Sequence, residues 1–288
     1  MTEVASDTGR RGARALRCPV CAGPLDVVER GLQCAHAHRF DQARQGYVAL
    51  LSGRGNRHRS DTAPMVAARR RLLDAGVFDP VAQALAAAID PEAAVVVDAG
   101  AGTGRYLAAV LDAAPRAVGI GLDLSKYCAR AVARAHPRAI AVVADLWEPI
   151  PVADGTADAV LSVFAPRNVA ETVRMLAPDG RWLLVTPNPG HLHEVREPLG
   201  MLEIGADKLD RLHADLTAGG LQVRDSTPLA ATALLDAEQL ADLAGMGPAG
   251  FHRTEDELHA AAQALTAAAE ALPVTLDVTL TVAVPAAN

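Results

Sequence analysis

The stretch "AAVVVDAGAGTGRY", residues 93–106, decides how the rest of the chain is read. Five apolar residues run without a polar break into Asp98, the pattern of a strand buried on both faces. Gly100, Gly102 and Gly104 then alternate with Ala101 and Thr103 before a helical pattern begins. Such glycines let the backbone turn sharply and approach a ligand closely, and the N-terminus of the following helix faces that ligand. A pyrophosphate fingerprint would be G-x-G-x-x-G. This loop is G-x-G-x-G with an acid two residues ahead, which suits a ligand carrying a cationic amino-acid end.

The same pattern repeats outward. "AVGIGLDLS" (117–125), "AIAVVADLW" (139–147), "DAVLSVFAP" (158–166) and "RWLLVTPN" (181–188) read as strands. "RYLAAVLDAA", "KYCARAVARAH" and "NVAETVRMLAPDG" read as helices between them, the last closed by a Pro-Asp-Gly turn. Apolar strands alternating with helices give a parallel sheet covered on both faces. Asp123 ends the second strand, where a carboxylate can accept both hydroxyls of a ribose, and Asp145 ends the third, placed to receive an adenine amino group. Open α/β sheets bind ligands in the crevice at these strand ends. Towards the C-terminus, "LQVRDSTPLA" and "PVTLDVTLTVAVP" are strands, and helices start at capping boxes, Asp236 to Gln239 and Thr254 to Glu257.

The front of the chain differs. "CPVCAGPLDVVERGLQCAHAHRF", residues 18–40, holds three of the four cysteines. Cys18-x2-Cys21 and Cys34-x3-His38 form two knuckles, and Cys3His is a tetrahedral structural zinc set. His36 leaves only one residue between itself and Cys34, so His38 is the better fourth ligand. Four protein ligands leave no open position, so the metal would be structural. The surrounding hairpins are too short to bury a core of their own. Cys128 stands apart and reads as a buried helix cysteine.

The 288 residues carry a net charge of -7, unevenly spread. Residues 1–80 contain 13 Arg and 8 Asp+Glu, a balance of +5, against -12 for the rest. A basic front on an acidic body fits a module that touches phosphates. Arg39, Arg44, Arg54, Arg57, Arg59 and the Arg69–Arg71 run are the candidate phosphate contacts, with Phe40, Tyr47, Trp147 and Phe164 as candidate stacking partners. The N-terminus lacks the apolar core of a secretory signal and no apolar run spans a membrane, so a cytoplasmic protein without a membrane partner is expected. The expected organisation is a flexible basic tail (1–17), a zinc-binding RNA-recognition module (18–55), a basic helical connector (56–92) and a catalytic domain (93–288).

The glycine loop, Asp98, Asp123 and the strand order resemble the class I S-adenosylmethionine-dependent methyltransferases. That resemblance implies a Rossmann-like α/β fold with a mostly parallel seven-stranded sheet. Together with the zinc clasp, the segments "CPVC", "CAHAHRFDQARQGYVALL", "MVAARRRLLDAGVF", "VDAGAGTGRY", "GLDLSK", "FAP" and "TPNPGHL" resemble the 23S rRNA guanine-N1 methyltransferases of the RlmA and TlrB type. The resemblance implies methyl transfer from S-adenosylmethionine to N1 of a guanine in a 23S rRNA hairpin of the peptide exit tunnel. It implies zinc on Cys18, Cys21, Cys34 and His38, and cofactor contacts from Asp98, Gly100, Gly102, Thr103, Gly104, Asp123, Leu124, Asp145 and Leu146. A homodimer is plausible on the same ground. The Ala/Arg-rich, Lys-poor composition suggests a high-GC genome and favours the tylosin-resistance branch, the guanine-748 type. A small-molecule methyltransferase would leave the basic module idle, and a non-catalytic RNA-binding protein would not need an intact loop.

For the chemistry, Phe164 is placed to stack on the base and Pro166 to shape the pocket. Arg167 is placed to stabilise O6, and His191, at a position the family also fills with His, to meet the target. The sequence shows no obvious general base for N1. A base stacked in a hairpin must be extruded to reach such a site.

Overall fold

The computed structural model describes residues 7–53 and 58–286. Arg54 and Arg57 lie outside them. The front of the chain forms α1 (Asp7–Arg14), β1 (Leu25–Val28), β2 (Gly31–Cys34), β3 (Arg39–Asp41) and β4 (Tyr47–Ala49), followed by α2 (Ala63–Asp74) and α3 (Asp79–Ala88). The alternating part is β5 (Val95–Ala99), α4 (Arg105–Ala113), β6 (Val118–Asp123), α5 (Lys126–Ala135), β7 (Ala139–Val143), β8 (Ala157–Val163), α6 (Val169–Met175) and β9 (Leu176–Pro187). The remainder is α7 (Arg196–Leu199), α8 (Lys208–Ala218), β10 (Leu221–Leu235), α9 (Ala237–Gly245), α10 (Glu255–Leu265) and β11 (Leu272–Pro285).

The large sheet runs β10-β11-β9-β8-β5-β6-β7-β4. Neighbours from β9 to β4 pair in parallel, while β11 pairs antiparallel with both β9 and β10. The valine run of β5 shows why the sheet lies at the centre. Successive side chains alternate between faces, so Val96 joins the core with α2, α3, α4 and α5, and Val97 joins a second core on the opposite face. Trp182 of β9 is fully buried in that second core and donates from Nε1 to Ser162 Oγ at 3.0 Å. The Pro-Asp-Gly turn lies inside β9, where pairing to β8 jumps from Ala157–Leu176 to Ala159–Arg181.

Three expectations about the front need correction. The stretch read as a flexible tail holds a helix from Asp7 that packs on the sheet. Gly12 makes this possible, because a Cβ there would collide with Ile140 Cδ1. Ala13 and Leu16 are buried, and Leu16 bridges to Val152. Second, residues 18–55 are not a separate body. The β1-β2-β3 sheet puts Leu25 and Leu32 into the same core as Val97, Ile120 and Val160. Its continuation, β4, pairs in parallel with β7 as an eighth strand beyond the seven expected. Third, the connector is core: Leu72, Phe78, Val81 and Leu85 are buried under the β5 face. A short window of residues does not reveal such burial, because each segment supplies only one or two apolar side chains. Truncating one of them, such as Leu16, is expected to cost about 2–5 kcal/mol. Among the described residues, no helix is long and apolar enough to cross a membrane.

Candidate functional site

A cavity of about 510 Å³ opens at the carboxyl ends of β5, β6, β7 and β8. Gly100, Gly102, Thr103, Asp123, Leu124, Asp145, Leu146, Phe164 and Pro166 line it from four successive strand ends, and His191 joins them from the loop after β9. The three loop glycines have φ of 93°, 55° and 80°, the left-handed region that side chains rarely adopt. They differ in what they face. A Cβ on Gly100 would lie 2.5 Å from Ala165 and one on Gly104 2.8 Å from Ala135, so these two permit close packing. Gly100 and Gly102 both line the cavity, and a side chain on Gly102 would point towards the Arg69 guanidinium.

The acids behave differently from one another. Asp123 Oδ2 accepts from Gly102 N at 3.0 Å and Oδ1 from Ser125 N at 2.8 Å, tying the glycine loop to the start of α5. Burial pushes its pKa up to about 6 against the pull of those N–H groups. Asp98 is 1 % exposed, and neither of its oxygens has a partner. Burial, with Asp123 nearby, pushes it up to about 8. It stands behind the loop rather than on the cavity wall. Asp145 accepts from Trp147 N at 3.0 Å, and Trp147 is exposed beside it with its ring against His58.

At the other end stands an aromatic cluster. Phe164 directly follows β8 with φ 54°, a conformation uncommon outside glycine and asparagine. Its ring stacks on His191 at 5.6 Å and meets Phe78 edge-on at 5.9 Å. His191 is buried, and its Nδ1 accepts from Asp277 N at 3.2 Å. The hydrogen-bond pattern therefore assigns the ring hydrogen to Nε2. Burial pulls the His191 pKa down to about 4, so the ring is neutral near pH 7. Pro166 borders the cluster. Arg167 does not line the cavity; it lies nearer Asp215 and Lys208.

The arginine run divides. Arg69 turns inward: Nη1 pairs with Asp61 at 2.5 Å and Nη2 donates to Met246 O at 2.7 Å. Arg71 makes a two-point pair with Asp242 of α9, at 2.8 and 2.5 Å. Arg70 stays on the surface beside Asp74. Arg39 pairs with Asp41, Arg44 is exposed, and Arg59 lines the cavity with its guanidinium 5.6 Å from the Phe251 ring centre. Arg69 shares a helical stripe with buried Met65, Ala68, Leu72 and Leu73, a spacing that marks it as inward-facing. No sequence pattern marked Arg196, Glu203 or Lys208, which also line the cavity.

The second site lies at the front. One donor atom from each of Cys18, Cys21, Cys34 and His38 falls within 4.8 Å of the others. Cys34 Sγ is 3.3 Å from His38 Nδ1, Cys18 Sγ is 3.6 Å from it, and Cys21 and Cys34 sulfurs are 3.6 Å apart. A tetrahedron with zinc–sulfur bonds of about 2.3 Å has edges of about 3.7 Å, so the donors already stand at ligand spacing. Each knuckle turns through a left-handed alanine, Ala22 at φ 57° and Ala37 at φ 61°. Their N–H groups close onto Cys18 O and Cys34 O. Burial raises the Cys34 thiol, but the backbone N–H groups of His38 and His36 outweigh it and bring it down to about 6. His36 is not part of the cluster. The sulfur and nitrogen donors, and their closure without a free position, fit zinc.

Comparison with known proteins places the chain among methyltransferases. A family model described as RlmA, N-terminal, matches residues 16–61, and one described as a methyltransferase domain matches residues 96–180. The 23S rRNA (guanine(748)-N(1))-methyltransferase of Streptomyces fradiae is 44% identical over 277 residues, covering 94% of this chain and 97% of that protein. A Micromonospora griseorubida protein with the provisional name 23S rRNA (guanine-N(1)-)-methyltransferase is 46% identical over 272 residues, covering 87% and 92%. Among solved structures, a chain from a complex of the Haloferax volcanii Trm112 methyltransferase activator with a methyltransferase aligns with a TM-score of 0.51. It is 22% identical, over 80% of this chain and 100% of that one, a likeness of fold.

Proposed function

The chain belongs to the 23S rRNA guanine-N1 methyltransferase family, and on that premise we propose that it methylates N1 of a guanine in a 23S rRNA hairpin of the peptide exit tunnel. The modified base is guanine 748, as named for the Streptomyces fradiae enzyme, and the modification contributes to resistance to tylosin-like macrolides. One observation carries the reading. A single cavity joins a glycine loop flanked by strand-end acids to an exposed aromatic platform, so a methyl donor and a flat base have adjacent seats.

The residues present fit S-adenosylmethionine. Asp98 is a buried acid without a partner, and a cationic amino group at the loop would pair with it and favour its ionised form. Asp123 keeps lone pairs for ribose hydroxyls while holding the Gly102 amide, and Asp145 with Leu146 borders the place for the adenine. When bound, the cofactor supplies an electrophilic methyl group. The protein contributes position and electrostatics. Phe164 stacks on the extruded guanine, braced from behind by His191 and Phe78. Arg167, expected to meet O6, lies off the cavity wall.

Zinc on Cys18, Cys21, Cys34 and His38 would tie the Cys18–Cys21 turn to the end of β2, fixing the small sheet that carries Arg39. Arg44, Arg59 and Arg70 are further cations for phosphates. Primer extension on 23S rRNA tests the reading, because N1 methylation blocks reverse transcriptase. A new stop next to guanine 748 is expected after incubation with enzyme and S-adenosylmethionine, and no stop in that hairpin would sink it.

A further inference from the structure

Neutral guanine carries a proton on N1, and that proton must leave as the new bond forms. The titratable groups lining the cavity sort by what already holds them. Asp61 pairs with Arg69, Asp123 accepts two backbone N–H groups, and Asp145 accepts that of Trp147. His58 stands against Trp147, at the adenine end. Burial pushes the Tyr106 phenol up, so it keeps its proton. His191 uses Nδ1 as an acceptor already, which leaves Nε2 a donor.

Glu203 is different. It lines the same cavity, its side chain is 77% exposed, and its one ion pair among the described residues is with Arg196 Nη2, at 3.5 Å. Arg196 itself is fixed. It is buried, and Nη1 donates to Pro189 O at 2.8 Å and to His191 O at 2.5 Å. A guanidinium held by the stacking histidine's own carbonyl thus carries a carboxylate at the rim of the base platform. The other charged groups around this rim are Lys208 at the start of α8 and Arg253, which packs on Gly200. Burial, with Arg167 and Arg211, draws the Lys208 pKa down.

We propose that Glu203 accepts the N1 proton of the target guanine and that Arg196 positions it. This rests on the guanine-N1 reading above. The guanine edge presents N1–H beside the N2 amino group, and the two oxygens of one carboxylate match that pair of donors. In the step, the N1–H bond breaks to a Glu203 oxygen. The electron pair left on N1 forms the bond to the methyl carbon. The methyl–sulfur bond breaks with its pair staying on sulfur, and the proton ends on Glu203.

The test is single-turnover methylation of a synthetic 23S hairpin, with saturating S-adenosylmethionine, by wild type and Glu203→Gln in parallel from about pH 6 to about pH 10. Glu203→Gln is expected to lose roughly 10²–10⁴-fold in rate at neutral pH. Its cofactor affinity by calorimetry and its hairpin affinity stay within about twofold. The deficit shrinks as pH rises to where N1 ionises unaided. Arg196→Ala shifts the pH profile, and Arg196→Lys restores part of it. A Glu203→Gln rate within about twofold of wild type at every pH overturns the proposal, as does a loss explained by weaker cofactor or hairpin binding. A wild type that makes no N1-methylguanine in the same assay overturns the guanine-N1 reading instead.

Discussion

Asp98 and Asp123 end adjacent strands and repel one another, yet only Asp123 has its oxygens occupied, by the amides of Gly102 and Ser125. Asp98 is left with a raised pKa, about 8, and no partner. A pKa higher in the folded than in the unfolded chain means that the fold binds more protons, so the contribution of Asp98 to stability is full below about pH 4 and is lost by about pH 8. Asp98→Asn is therefore expected to melt higher than cofactor-free wild type. The gap should widen from about pH 4 to about pH 8. Scanning calorimetry across that range checks this. The same variant should bind S-adenosylmethionine at least roughly tenfold more weakly, because an amide offers no charge to an ammonium group.

His38→Ala is expected to lose its zinc, and His36→Ala to keep it, measured by elemental analysis of purified protein. Because Leu25 and Leu32 share a core with the sheet, loss of metal should lower the melting temperature of the whole chain as one transition. Two separate transitions would show that the front folds by itself.

Arg71→Ala leaves Asp242 buried without its two-point partner, and is expected to destabilise by about 1–3 kcal/mol in urea unfolding. Arg70→Ala, one residue away on the surface, should stay within about 0.5 kcal/mol. It should instead weaken hairpin binding and flatten its salt dependence.

Gly104→Ala must hold φ near 80° and push its Cβ to 2.8 Å from Ala135 and 3.2 Å from the Val132 backbone. A cost of about 2–4 kcal/mol is expected. Gly155→Ala meets open space at φ 63°, so only the backbone term applies, about 1–2 kcal/mol. Denaturant midpoints of the two variants separate packing from strain.

What the sequence disclosed follows from how local each signal is. The strands β5 to β9, the glycine loop and the Cys3His clasp are encoded within windows of a few residues, by apolar runs, backbone permissiveness and ligand spacing. All were legible. His38 over His36 followed from spacing alone. The packing of α1, the pairing of β4 with β7 and the inward turn of Arg69 and Arg71 depend on partners far along the chain. Composition showed those arginines as a basic face, whereas Asp61 and Asp242 make two of the three internal bolts. Arg196 and Glu203 acquire meaning only from the loop that carries them to His191.

The β4–β7 pairing also constrains how the protein is made. β4 is synthesised early, and its partner strand follows about 90 residues later. During translation the zinc clasp can close as soon as its four ligands emerge, while the apolar side chains of β4 and α1 wait for the body behind them. A bound zinc would keep residues 18–38 in their folded turns while the β4 edge waits for the sheet that covers it.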